Sequence, residues 1–244
     1  MHLKVHNAII YTKLIITSLV FSYDEFDREV VSTKNVKLEV KNFSADFEIP
    51  WGMAFLPDTS MLVTDLSGSL YRVYQDGNKD VIKGTPNVHY KGQGGLLDVE
   101  VHPDFLDNNY IYVSYSQPKK GKAFTAVARA KLIRNQLEDF EIIYSTEYKH
   151  FSRKTVHFGS RFAISGDYLF FSIGDRGERD EAQDLDKPNG KIHRIHLDGR
   201  VPSDNPYKLK NGEVSTIWCY GNRNPQGLAF SKAGVLWESE HGPR

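Results

Sequence analysis

Trp51-Gly52-Met53-Ala54-Phe55-Leu56-Pro57, then Met61-Leu62-Val63-Thr64-Asp65, then Ser69-Leu70-Tyr71-Arg72-Val73 read as three successive short strands of one unit. From about Phe43 onward, Val/Ile/Phe/Tyr-rich runs alternate with Gly, Pro, Asp and Asn clusters, and no apolar pattern keeps a 3.6-residue period for long. The chain is therefore all-β. The same unit returns downstream. Leu96-Leu97-Asp98-Val99-Glu100-Val101 leads to Tyr110-Ile111-Tyr112-Val113-Ser114, and Arg161-Phe162-Ala163-Ile164 leads to Tyr168–Ser172 and on to Gly190–Ile195. A fourth unit begins at Gly227–Phe230 and Val235–Glu238. Small antiparallel units of roughly 40–50 residues are the signature of a β-propeller, whose ligands sit near the central channel. The count reaches about three and a half to four blades over residues 44–244.

Bulk composition narrows the function classes. The 244 residues are 40% apolar and 25% charged, ordinary for a globular protein. Lys plus Arg balances Asp plus Glu at 31 each, so no global field recruits nucleic acid or an anionic membrane. The single cysteine, Cys219, excludes an internal disulfide and reads as a core residue. Residues 1–22 carry His2, Lys4, His6 and Lys13 before the apolar run Leu14–Phe21, a signal-peptide pattern too short to span a bilayer. Residues 23–43 then form a lead-in, and the expected location is periplasmic or secreted.

Chemistry concentrates in three places. Val156-His157-Phe158-Gly159-Ser160-Arg161-Phe162 is followed by Phe170-Phe171-Ser172-Ile173-Gly174-Asp175-Arg176-Gly177, placing an imidazole before one strand and a carboxylate after the next, where they can meet as base and orienting partner. Upstream, Gln93 lies in the glycine-flanked turn Gly92–Gly95, ahead of His102-Pro103-Asp104-Phe105. Downstream, Arg223 and Asn224 lie within Tyr220-Gly221-Asn222-Arg223-Asn224-Pro225-Gln226-Gly227-Leu228, followed by Glu240-His241-Gly242-Pro243-Arg244. The acidic stretch Asp180–Asp186 reads as a solvated loop rather than a metal site, and no EF-hand spacing occurs.

Together these motifs resemble the N-terminal portion of the soluble pyrroloquinoline-quinone (PQQ)-dependent sugar dehydrogenases, the glucose/sorbosone and aldose sugar dehydrogenase family. The resemblance implies a six-bladed propeller, of which this chain covers only part. It implies oxidation of an aldose sugar at its anomeric carbon to a lactone, with electrons passed to an external acceptor. By the same resemblance His157 is the catalytic base, Asp175 its orienter, and Arg223 the group that polarises the quinone. Gln93, Arg223 and Asn224 contact PQQ, and the backbone at Gly242 and Pro243 holds the Ca2+ that ties down the quinone. Two other readings stand beside this one: a calcium-dependent lactonase or other hydrolase on a propeller, and a truncated, non-catalytic propeller fragment. The sequence leaves open which sugar is preferred and whether a homodimer forms.

Overall fold

The computed structural model describes residues 29–242. The leader-like segment 1–22 and Pro243 lie outside the described residues. The chain divides into two units, residues 1–45 and 46–244. In the first, β1 (Glu29–Ser32) and β2 (Lys37–Val40) form an antiparallel hairpin, Glu29 opposite Val40 and Ser32 opposite Lys37. Thr33 closes its turn by donating from Oγ1 to the Val36 carbonyl at 2.8 Å.

The second unit repeats one device. Strands β3 (Pro50–Phe55), β4 (Met61–Asp65), β5 (Leu70–Val73) and β6 (Lys79–Ile82) pair in sequence order as an antiparallel meander. A second meander follows in β7 (Leu96–Val101), β8 (Tyr110–Lys119), β9 (Lys122–Ile133) and β10 (Gln136–Tyr144). Helix α1 (Phe105–Asn108) caps the turn into β8. The third sheet comprises β11 (Phe162–Ser165), β12 (Tyr168–Ile173), β13 (Lys191–His196) and β14 (Ile217–Tyr220). A two-stranded sheet of β15 (Pro225–Phe230) and β16 (Leu236–Glu240) completes the described chain.

The core lies between sheets. Leu62, Leu70 and Ile82 of the first pack with Val99, Ile111, Val113 and Ala128 of the second. Tyr112, Phe124 and Val127 of the second pack with Leu169, Phe171 and Ile195 of the third. Ala163, Phe170 and Ile192 continue onto Leu228 of β15. Inner strands such as β12 meet apolar neighbours on both faces, which is why Leu169–Ile173 is buried throughout rather than alternately.

The strand triads read from the sequence lie at β3–β5, β7–β8, β11–β13 and β15–β16. Two expectations are corrected. Cys219 is exposed rather than in the core: β14 is the outermost strand of its sheet, and after Ile217 its side chains leave the packed region. The Asp180–Asp186 stretch is not merely solvated. It contains the 310 turn Arg179–Gln183 with Ala182 buried, and its Glu181 and Ala182 carbonyls accept from the buried Lys191 ammonium at 2.9 and 2.8 Å.

Candidate active site

The loop before β11 supplies the imidazole and the turn after β12 supplies the carboxylate, so the β11–β12 pairing, Phe162 opposite Phe171, brings them to one end of the third sheet. His157 Nδ1 lies 2.6 Å from Asp175 Oδ1. A carboxylate only accepts, so Nδ1 carries the proton and the free lone pair resides on Nε2. The Asp175 side chain is 2% exposed and that of His157 17%, so the carboxylate is sealed while the imidazole reaches solvent. Gly177 N–H donates a second bond to the same Asp175 oxygen at 2.7 Å, and Asn189 Nδ2 donates to the Asp175 carbonyl at 3.0 Å.

The loop that carries His157 has an unusual backbone. His157 and Ser160 take φ of 53° and 87°, in the left-handed region where non-glycine residues are uncommon. The surroundings over-determine this shape. Gln93 Oε1 accepts the His157 N–H at 2.7 Å, and Asn224 Oδ1 accepts the Gly159 N–H at 3.1 Å. Ser160 N–H donates to the Ser172 carbonyl at 2.8 Å. The loop can approach the end of β12 because residue 174 has no side chain: a Cβ there would lie 2.2 Å from the His157 carbonyl oxygen.

Gln93 and Asn224 thus first support the His157 loop, through one acceptor oxygen each, which leaves their amide nitrogens for another partner. Arg223 is half-buried. Its carbonyl accepts the Asp175 N–H at 2.7 Å, and its Nη1 donates to the carbonyls of His241 and Gly242 at 2.8 and 3.3 Å. Five of the residues singled out from sequence, His157, Asp175, Gln93, Arg223 and Asn224, therefore form one connected cluster, and Gly242 touches it through Arg223.

Three contributors carried no assigned role in the sequence. Glu240 accepts the backbone N–H groups of Arg223 and Asn224 at 2.6 and 3.1 Å, fixing that loop against β16. Its place beside His241-Gly242 was the available signal. Arg176 is 1% exposed. It donates to the carbonyls of Val156 and Lys154, the latter at 2.6 Å, and its guanidinium lies 3.4 Å from the Phe158 ring centroid. Arg161 ties the sheets together: Nη1 donates to Asp98 at 2.6 Å, Nε to the Gln226 carbonyl at 2.9 Å, and its guanidinium stacks 4.5 Å from the Trp51 ring.

A positioned, partly exposed imidazole backed by a buried carboxylate is suited to taking a proton from a hydroxyl. Among the described residues no group of three or more His, Cys, Asp or Glu side chains is arranged to hold a metal ion, and no helix is long and apolar enough to cross a membrane.

Residues 47–244 match the family model of the glucose/sorbosone dehydrogenases. The chain belongs to that family. It is 41% identical over 202 residues to the aldose sugar dehydrogenase YliI of Escherichia coli, covering 80% of this chain but 54% of that protein. The crystal structure of the soluble aldose sugar dehydrogenase from Escherichia coli in its apo form superposes with a TM-score of 0.77 at 38% identity, covering 83% of this chain and 60% of that one. The PQQ-bound aldose sugar dehydrogenase from Streptomyces coelicolor superposes with a TM-score of 0.72 at 26% identity, covering 89% and 61%. The chain thus spans about half the length of the curated relatives it matches. The sheets of its second unit are blades of the glucose/sorbosone dehydrogenase propeller, present here in part.

Proposed function

We propose that this chain carries the base side of a sugar dehydrogenase site that oxidises an aldose at its anomeric carbon to a lactone, using PQQ and passing electrons to an external acceptor. The observation that carries this reading is the 2.6 Å contact between His157 Nδ1 and the sealed Asp175 carboxylate, on a loop pinned by Gln93 and Asn224. His157 Nε2 takes the proton of the anomeric hydroxyl, and Asp175 stabilises the imidazolium that results. Bound PQQ would supply the two-electron acceptor for the hydride that leaves the anomeric carbon.

The donor set fits one end of such a quinone. Arg223 offers further guanidinium N–H groups beyond those on His241 and Gly242, and the amide nitrogens of Gln93 and Asn224 are the adjacent donors. Calcium fits less completely. The carbonyls of His241 and Gly242 are suitable hard oxygens, yet each already accepts from Arg223, and two fall short of the six to eight oxygens the ion takes. By family resemblance Gly242 and Pro243 are the segment for that role, and the ion would need further oxygens beyond these. The leader-like N-terminus supports export to the periplasm or beyond.

The test is reduction of an artificial acceptor dye by the purified chain with an aldose, PQQ and calcium, alongside PQQ binding followed by fluorescence. His157→Ala lowers turnover by about 10²–10⁴ while PQQ affinity stays nearly unchanged. Equal turnover in the variant removes His157 as the base.

A further inference from the structure

Behind the catalytic loop lies a second, strongly cationic cavity. It has a volume of about 220 Å³ and is bordered by Lys122, Lys149, Arg153 and Lys187, with Arg176 in its wall and the carboxylates Glu178 and Glu181 at its margin. With His150 counted neutral, that lining carries five cations against two anions. The two anions are also spoken for: Glu178 pairs with Lys154 at 2.7 Å and Glu181 with Lys187 at 3.0 Å, while Lys149 pairs with Glu147 at 2.8 Å.

Asp175 is the carboxylate that acts on Arg176, and its Oδ1 is already taken by His157 and Gly177. The two terminal nitrogens of Arg176 are held by the backbone carbonyls of Val156 and Lys154, neutral acceptors that satisfy hydrogen bonding without cancelling charge. Its Nε is buried with no hydrogen-bond partner, although the residue is only 1% exposed. Burial pulls the guanidinium down to about 9 against the opposing pull of Asp175, so its charge is only partly compensated. A poorly compensated buried charge and an orphaned buried donor each cost stability. An anion within the cavity adds to the compensation of that charge.

We propose that this cavity binds a phosphate dianion, free or as the monoester group of a small molecule. Two features favour phosphate over a monovalent carboxylate. The lining exceeds its own acids by three charges, and the exposed Arg153 guanidinium, with Lys122, Lys149 and Lys187 on the same lining, offers a fork suited to tetrahedral oxygens. The site is independent of the sugar chemistry proposed above, and it adjoins that chemistry through Arg176, which holds the carbonyl of the residue preceding His157.

Isothermal titration of the chain with inorganic phosphate at pH 8, in chloride buffer, tests this directly. A parallel titration with glycerol phosphate separates free anion from monoester: the tighter of the two names the physiological form. Saturable one-site binding near 1 mM or tighter is expected from a dianion held by several charge-assisted bonds. Because Arg176→Met removes a buried anchor of the loop and is liable to unfold the chain, the deciding variant is Lys122→Gln with Arg153→Gln, on half-buried and exposed positions. That double variant weakens phosphate binding at least about tenfold. Absence of saturable binding by either ligand, or unchanged affinity in the double variant, overturns the assignment.

Discussion

Gly174→Ala isolates the approach of the base loop to the end of β12. The native φ at this position is not in the left-handed region, so alanine meets no backbone penalty and the effect is purely one of space. The added methyl would lie 2.2 Å from the His157 carbonyl oxygen, 2.6 Å from its carbonyl carbon and 2.9 Å from Asn224 Oδ1. Two of these neighbours are backbone, so no flexible side chain can yield. Reaching even a tight contact moves the His157 carbonyl by about 1 Å, and such a shift in a catalytic group lowers the rate about a hundredfold. Overpacking costs a further 1–3 kcal/mol of stability, roughly. Turnover in the dye assay, urea midpoint, and the imidazole proton resonances of His157 are to be read together. Gly166→Asn is the control, since nothing lies within 4 Å of a Cβ there and Asn tolerates its φ of 54°. Native turnover and an unshifted His157 resonance in a folded Gly174→Ala chain would refute the claim that this contact sets the position of the base.

Asp175→Asn retains the contact with Nδ1 but frees the tautomer, so turnover falls by about 10⁴ at most with little change in PQQ affinity; equal turnover counts against the orienting role. Asp98→Ala strips the Arg161 guanidinium of its carboxylate and the Phe162 N–H of its 2.8 Å acceptor. With the Arg161 side chain 28% exposed, the expected loss is about 2–3 kcal/mol, below that of a fully buried pair, and a urea midpoint unchanged from the parent overturns the clasp. His193 is fully enclosed, donating from Nε2 to the Pro188 carbonyl and accepting from Thr216 Oγ1, both at 2.8 Å, and burial holds its ring down to about 3. The unfolded chain therefore takes up a proton the folded one refuses, so this contribution is complete above about pH 6.5 and falls by about 2 kcal/mol by pH 5. His193→Gln should flatten the urea midpoint across that window, and an equally steep dependence in the variant would assign the loss elsewhere.

How much of this was legible in the sequence follows from which forces are local. β4 and β12 stood out because strands buried on both faces are continuously apolar, and β3, β15 and β16 because their short apolar runs end at turn residues. The long partners β9 and β10 did not, since β10 carries exposed charges such as Glu138, Asp139 and Glu141 that mask its strand character. The imidazole and carboxylate were legible because a strand hairpin fixes their proximity. What Gln93 and Asn224 do was not: each accepts a backbone N–H about 65 positions away, at separations of 64 and 65, and nothing local marks that. Cys219 misled because composition predicts burial by residue type, whereas strand order decides it. Arg176 went unnoticed because an arginine in a turn is ordinarily solvated.

The amides of His157 and Gly159 are held by side chains from two other parts of the chain rather than by a ladder of their own sheet. Neither can exchange with solvent deuterium until the turn at Gln93 or the loop at Asn224 swings away. Their exchange rates therefore gauge docking of the second sheet and of the β15 loop onto the third, two long-range closures that no single sheet can complete. In folding terms, His157 reaches its place only once both closures are made and leaves it when either opens.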